Sequence, residues 1–347
     1  ITADYGEDLI LEHYRREGCT MLLMVGDWAM LRAVPSWAAH DELVWVQWAP
    51  VDLLEVPDVI KDIMRYPVKV VPFSKHSEQR FREWKLENVS PAIWLGIDLD
   101  IWKPQDRKTL PNVMNSLGFR EDTYNILICQ ANQRRKYIRE QLEGIKLFRE
   151  LHPEANARLY IHTWLKRGGE ADLEQEIHAT GLAEITKTTE EYQMVLGGWS
   201  EEQLAQIYSC ADVVMDVAYE GFGYSMLQAQ AVGVPVIGLS EGPTTEIVKY
   251  GAAVVPTAVD YGIPYGKPLA APPDIATALH DLFTSGTRQS QEPVAHVRSN
   301  FGWDRIAAQW ISLIDEVHEL RDRYTLYIPE PSALLKERSK QIVEVRP

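Results

Sequence analysis

Two stretches of this 347-residue chain hold groups that can do chemistry. The first is Glu220-Gly-Phe-Gly-Tyr-Ser-Met-Leu-Gln-Ala-Gln-Ala-Val-Gly-Val-Pro-Val-Ile237, which reads as a loop, a helix and a strand. Gly221 and Gly223 permit close backbone approach and unusual dihedrals. The helix is predicted to begin near Tyr224 or Ser225, where free amides and the positive dipole end make a ready anion site. Gly223, Tyr224 and Ser225 are therefore candidates to cradle a diphosphate. Glu220 lies just before the helix, so its carboxylate can face the same ligand. Gln228, one turn in, can reach a ribose or sugar hydroxyl. Alone, a Gly-bearing strand–loop–helix is a weak signal, and the plainer reading is a tight turn that packs the helix on the sheet. The second stretch is Asn132-Gln-Arg-Arg-Lys136. Such a basic run is usually a solvated turn. Its place at the carboxyl end of a strand in an α/β fold favours a binding site.

The elements that must hold these groups alternate along the chain. Short apolar runs at Thr20 to Val25, Leu43 to Trp48 and Val68 to Phe73 have the character of strands buried on both faces of a parallel sheet. Ser74 is placed to cap the helix that follows. A second series begins at Asn125 to Cys129 and continues through Ile138 to Leu151, Arg158 to His162, Ala211 to Met215, Val234 to Gly238 and Ala252 to Val255. Strands alternating with helices imply βαβ units and a doubly wound α/β sheet. Pro104 and Gln105 to Lys108 read as a linker. Pro256 to Pro273, rich in Gly, Pro and Tyr, reads as an ordered loop or insertion. The predicted organisation is an N-terminal domain over 1–104, a second domain over 105–300, and C-terminal helices and a tail over 301–347 that return toward the first domain.

The Glu220 segment resembles the donor-binding motif of family 4 retaining glycosyltransferases (glycosyl transferases group 1). That pattern is E-G-F-G, then Leu, Glu and Ala, then G-x-P-V-I; here the run is EGFGYSMLQAQAVGVPVIG. Gly242-Pro-Thr-Thr-Glu-Ile-Val248 is similar to the family's next segment, and Pro91 to Pro104 to its hinge segment. The resemblance implies the GT-B fold, two Rossmann-like domains facing a cleft. It implies transfer of a sugar, with retained anomeric configuration, from a UDP- or GDP-sugar to an acceptor the sequence does not identify. It implies no cofactor and no metal, because basic side chains and helix amides neutralise the departing diphosphate. Glu220 takes the catalytic role of contacting donor sugar hydroxyls and stabilising positive character at the anomeric carbon. Arg135 and Lys136 take the diphosphate, with Arg134 the alternative.

Two departures from the pattern stand out. The family places a second Glu eight residues after the first, and this chain has Gln228, a neutral and weaker partner for a hydroxyl. The family often has a His in the first domain that contacts the donor sugar, and none occurs in Gly26-Asp-Trp28 or in Gln47-Trp-Ala-Pro-Val-Asp52. Asp27, Gln47 and Asp52 are the polar candidates at those strand ends, beside the plainer reading that they only close the strands. Trp28, Trp37, Trp45 and Trp48 fit buried core better than sugar stacking. These departures keep alive a non-catalytic nucleotide-sugar-binding subunit as an alternative, and a GT-B sugar phosphorylase with lysine-bound pyridoxal phosphate is a further one.

Composition narrows the classes. With 24% charged and 46% hydrophobic residues the chain is an ordinary globular one. Acidic residues number 50 against 35 Lys and Arg, and the net charge of −15 argues against bulk binding to nucleic acid. No apolar run is long enough to span a membrane, although peripheral contact stays open. Cys19, Cys129 and Cys210 show no metal spacing, read as buried thiols, and fit a reducing, cytoplasmic setting. His162 ends an apolar strand and reads as a core histidine. About 100 residues before Pro104 are few for a Rossmann-like half, so the first domain is expected to lack its first strand or strands.

Overall fold

The computed structural model describes residues 7–26, 43–196, 198–263 and 265–324. Asp27, Trp28, Trp37 and the tail beyond 324 lie outside them. The chain divides into two compact units, residues 1–95 with 306–347, and residues 96–305.

In the first unit, helix α1 (Glu7–Arg16) leads into β1 (Leu22–Val25), followed by β2 (Trp45–Ala49), α2 (Asp58–Ile63), β3 (Lys69–Pro72) and α3 (Lys75–Glu83). The strands form a parallel three-stranded sheet in the order β1-β2-β3. Ser74 caps α3 as its sequence predicts, its Oγ accepting from Ser77 N at 3.0 Å, while the helix itself starts at Lys75, three residues before the expected Glu78. Central strand β2 is buried throughout, and Trp45 sits in a core with Leu43, Ile60, Tyr66, Val70 and Phe81. Edge strand β1 differs from the expectation of burial on both faces. Leu23 and Val25 share one face of the strand and are exposed, while Leu22 and Met24 on the other face pack against the core. Cys19, expected to be buried, is exposed just past the end of α1.

The second unit runs α4 (Pro111–Ser116), β4 (Asn125–Cys129), α5 (Ile138–Leu151), β5 (Arg158–His162), α6 (Leu173–Ala179), β6 (Thr186–Thr188), α7 (Glu191–Val195), α8 (Glu201–Ser209), β7 (Val213–Asp216), α9 (Tyr224–Ala231), β8 (Val236–Leu239), α10 (Thr244–Ile247) and β9 (Gly251–Val254). There follow a hairpin of β10 (Ala258–Asp260) and β11 (Lys267–Leu269), then α11 (Pro272–Thr284) and α12 (Gln291–Asn300); α13 (Trp303–Tyr324) begins in this unit and from residue 306 on belongs to the first. The main sheet is fully parallel, with order β6-β5-β4-β7-β8-β9. Counted along the unit this is the 3-2-1-4-5-6 order of a Rossmann sheet, whose ligands bind where the order reverses. Here that point lies between the carboxyl ends of β4 and β7. The polar stretch read as a linker is anchored instead: Asp106 caps a turn through Lys108 N (3.0 Å), and Arg107 Nη1 pairs with buried Asp212 at 2.8 Å.

Candidate functional site

The β4–β7 reversal brings together residues some 85 positions apart. After β4 the chain makes a 3₁₀ turn over Arg134–Lys136 and enters α5 through Tyr137, held at φ 52°. After β7 it runs through Glu220 into α9. Gly223 caps α9 at φ 102°, a conformation open to glycine at no steric cost and strained for other residues. Helix α9 then starts at Tyr224, as its sequence predicts, and its first amides have no partner within the helix.

The Glu220 carboxylate faces the basic turn. Arg135 Nη1 donates to Glu220 Oε2 at 3.4 Å, and Lys136 Nζ donates to Glu220 Oε1. Glu220 is buried at 9% exposure. Burial pushes its acidity down, but Lys136, then Arg135 and then Lys267 outweigh burial and hold the carboxyl below its ordinary range. An ion pair this buried stands only where each charge has a partner, and the site supplies them.

Beneath this pair lies a chain of buried amides that the sequence did not announce. Gln141 Nε2 donates to Lys136 O (3.0 Å) and to Gln130 Oε1 (2.9 Å). Gln130 Nε2 donates to Asp216 Oδ1. Ser225 Oγ donates to Asp216 Oδ2, and Ala218 N to Asp216 Oδ1 at 3.3 Å. Asp216 thus ties the cation turn on one strand to the first turn of α9 on the next. Its carboxyl is pushed up to about 6, first by burial and next by the Glu220 charge, against the pull of Lys136. Only its position at the end of an apolar strand hinted at it.

The other candidates separate. Ser225 stands in the network, and Gln228 is half-buried one turn further along α9. The Tyr224 hydroxyl donates to Gly96 O at 2.6 Å, so its side chain anchors the helix start and only its amide faces an anion position. Arg134 points elsewhere. Its side chain is 68% exposed, and Nη2 lies 3.8 Å from Asp260 on the hairpin. In the first unit, Gln47 is fully buried and internally committed. Its Nε2 donates to Gly26 O (3.1 Å) and Trp48 O (3.3 Å), while Oε1 accepts from Trp45 Nε1 (3.1 Å). Asp52 is half-buried just past β2. Trp48 is core, donating to Ile93 O at 2.8 Å and packing edge-on against Phe73 and Trp310.

Beside the network, a cavity of about 740 Å³ opens at the ends of β4 and β5, lined by Cys129, Gln130, His162, Thr163, Trp164 and Met194. The size suits a small-molecule ligand. His162 is half-buried, and burial lowers its basicity to about 4, so it is neutral near pH 7. Among the described residues no helix is long and apolar enough to cross a membrane.

Comparison with known proteins fits this arrangement. Residues 111–260 match the family Glycosyl transferases group 1. D-inositol 3-phosphate glycosyltransferase of Paenarthrobacter aurescens is 27% identical over 216 residues, which cover 61% of this chain and 48% of that protein. MMP α-(1→4)-mannosyltransferase of Mycolicibacterium hassiacum is 25% identical over 231 residues, covering 65% and 48%. The chain spans about half the length of the curated relatives it matches. Among solved structures, Anabaena HepE in complex with UDP and glucose superposes with a TM-score of 0.68 at 15% identity, over 90% of this chain and 83% of that one. A glycosyltransferase of Rickettsia africae gives 0.68 at 15% identity, over 89% and 80%. These neighbours share the fold, the GT-B architecture of paired Rossmann-like units.

Proposed function

From a chain whose residues 111–260 match the family Glycosyl transferases group 1, we propose a glycosyltransferase that moves a sugar from a nucleotide-diphosphate sugar with retention of anomeric configuration. The observation that carries this reading is the buried pairing of Glu220 with Arg135 and Lys136 at the β4–β7 reversal. Without ligand the two cations neutralise the carboxylate. A donor diphosphate at the α9 N-terminus offers them a second anion. Arg135 and Lys136 then balance the charge that grows on the leaving diphosphate, together with the amides of Gly223, Tyr224 and Ser225. Glu220, facing the sugar, binds its hydroxyls and stabilises positive character at the anomeric carbon. No metal and no organic cofactor enters this scheme.

The cavity lined by His162, Trp164 and Gln130 is where the base fits, with Trp164 offering a stacking face. Gln228 reaches the ribose. The UDP bound in the HepE structure favours a uridine donor, with guanosine the alternative. The acceptor is left open. The proposed setting is the cytoplasm.

The experiment is incubation with UDP-, GDP- and ADP-sugars and measurement of slow donor hydrolysis by proton NMR, which also reads the anomer first released. Turnover of one donor with retained configuration is the expected outcome. Tight nucleotide binding without turnover for any donor or acceptor turns the reading into a non-catalytic binding subunit. This is the alternative that Gln228, in place of a second carboxylate, favours.

A further inference from the structure

The β10–β11 hairpin brings a buried lysine to the site. Lys267 is 2% exposed, among the most buried charged side chains in the described residues. Its Nζ lies over the ring of Tyr219, 5.8 Å from the centroid. The same ring is backed by Gly242, where a Cβ would stand 2.7 Å from Tyr219 Cε2. Tyr219 is thus held between the Gly242 turn and Lys267, and Glu220 is the next residue. The hairpin is built for this placement. Tyr265 and Gly266 are both left-handed (φ 67° and 70°), and they turn the chain into β11 just before Lys267.

A lysine is buried at high cost unless anions or a π-face balance it. Opposite Lys267 in the hairpin ladder stands Asp260, whose Oδ1 accepts from Gly262 N (2.8 Å) and lies 3.8 Å from Arg134. The other charges of the region are Glu220 and Asp216 against Arg135 and Lys136. The nearby Cys129 thiol and Tyr208 hydroxyl, both pushed up first by burial, stay uncharged.

We propose that Lys267 is a positioning residue, a third cation that the hairpin supplies to hold the Glu220 carboxylate in place and ionised while Arg135 and Lys136 engage a diphosphate. This rests on the donor-site reading above. The geometry explains why it is needed. In the free protein Arg135 and Lys136 neutralise Glu220. Once a diphosphate competes for them, Glu220 is left buried beside Asp216, a like charge. The cation on the Tyr219 ring does not belong to the phosphate-binding turn, and Tyr219 is the residue before Glu220.

The test compares Lys267→Met, close in size but uncharged, with Lys267→Arg. Two readouts are taken in the full chain. The first is the carboxyl ¹³C titration of Glu220 in ligand-free protein, assigned with Glu220→Gln. The second is the pH profile of UDP-glucose hydrolysis. Lys267→Met is expected to move the Glu220 titration and the acidic limb of the rate profile to higher pH. Each pH unit of that movement is a tenfold loss of rate on the acidic limb. Lys267→Arg restores both. Tyr219→Leu, which keeps the charge and removes the ring, shifts both in the same direction by less, and serves if Lys267→Met does not fold. An unmoved titration in Lys267→Met, or equal losses in the Met and Arg variants with unshifted pH dependence, overturns the proposal. If the wild type hydrolyses no nucleotide-sugar, the donor-site reading fails, while the ligand-free titration still decides whether Lys267 governs Glu220.

Discussion

The strand ends of the two units treat polar residues in opposite ways. In the first unit, Gln47 stands on central strand β2 with every polar atom turned inward, bonded to Gly26, Trp45 and Trp48. In the second, the ends of β4 and β7 carry charges that face one another: Glu220 on Arg135 and Lys136, over Asp216. Gln47 and the carboxylates of Glu220 and Asp216 are buried, while Arg135 is partly exposed. A neutral amide can be satisfied for good by three fixed partners, and it then contributes to the core. Opposed charges under a helix N-terminus balance one another, and an incoming anion can exchange with one of them. Burial of polar groups alone does not mark a site, whereas burial of exchangeable charge does.

That contrast can be broken first at Glu220. Glu220→Gln keeps shape and removes charge, and donor turnover should fall on the order of 10²–10³-fold, the scale of losing one preorganised electrostatic group. A steady-state assay showing less than a few-fold loss would remove Glu220 from the chemistry. Next is the pair of cations. Arg135→Ala with Lys136→Ala should weaken nucleotide-sugar binding by about 100-fold by calorimetry, taking at least one decade for each charge-assisted bond. Arg134→Ala, whose side chain lies by Asp260, should leave the affinity within about twofold on the same scale; normal affinity in the double variant would return the run to a solvated turn.

Gln47→Ala sharpens the other side. It leaves Gly26 O and Trp45 Nε1 without partners, so it should cost about 2 kcal/mol of stability in urea unfolding. Nucleotide affinity, measured on the same preparation, should not change. The smallest effect concerns pH. The Asp216 carboxyl is raised from an ordinary 3.8 to about 6. Its contribution to stability is therefore fully present below about pH 3.8 and is lost as pH rises through about 6. Glu220, lowered, has the reverse sign: its contribution is present above its ordinary value of 4.5 and lost as pH falls through its folded value. Asp216→Asn should remove the decline between pH 4 and 6, so that its stability relative to wild type rises with pH across that window. A parallel pair of stability–pH curves would show that Asp216 does not titrate there.

Much of the second unit was legible because its signals are local. Gly223 before an apolar helix fixes where α9 begins, and continuous apolar runs fix β4, β5, β7 and β8, with β7 and β8 observed one or two residues later than their sequence patterns predict. The short β6 carries only Thr-Lys-Thr, no apolar run, and was invisible for that reason. The stretch at Gln105 to Lys108 looked like a linker because its anchor, Asp212, is over a hundred residues away. Lys267 lay inside a segment rich in Gly, Pro and Tyr whose composition speaks of turns and not of what a turn delivers.

The sequence by itself determined the kind of site: a carboxylate, a glycine-capped helix and a basic turn, each written in adjacent residues with backbone preferences that act over one or two turns. Only the tertiary structure decided which members meet. It put Arg135 and Lys136 on Glu220 and sent Arg134 to Asp260. It set Asp216 between Gln130 and Ser225, and carried Lys267 in on a hairpin. The reason is physical. Dihedral preference and hydrophobic period are properties of neighbours in the chain, whereas the strand order 3-2-1-4-5-6 joins β4 to β7 across more than eighty residues. The balance of buried charge exists only after that joining is made.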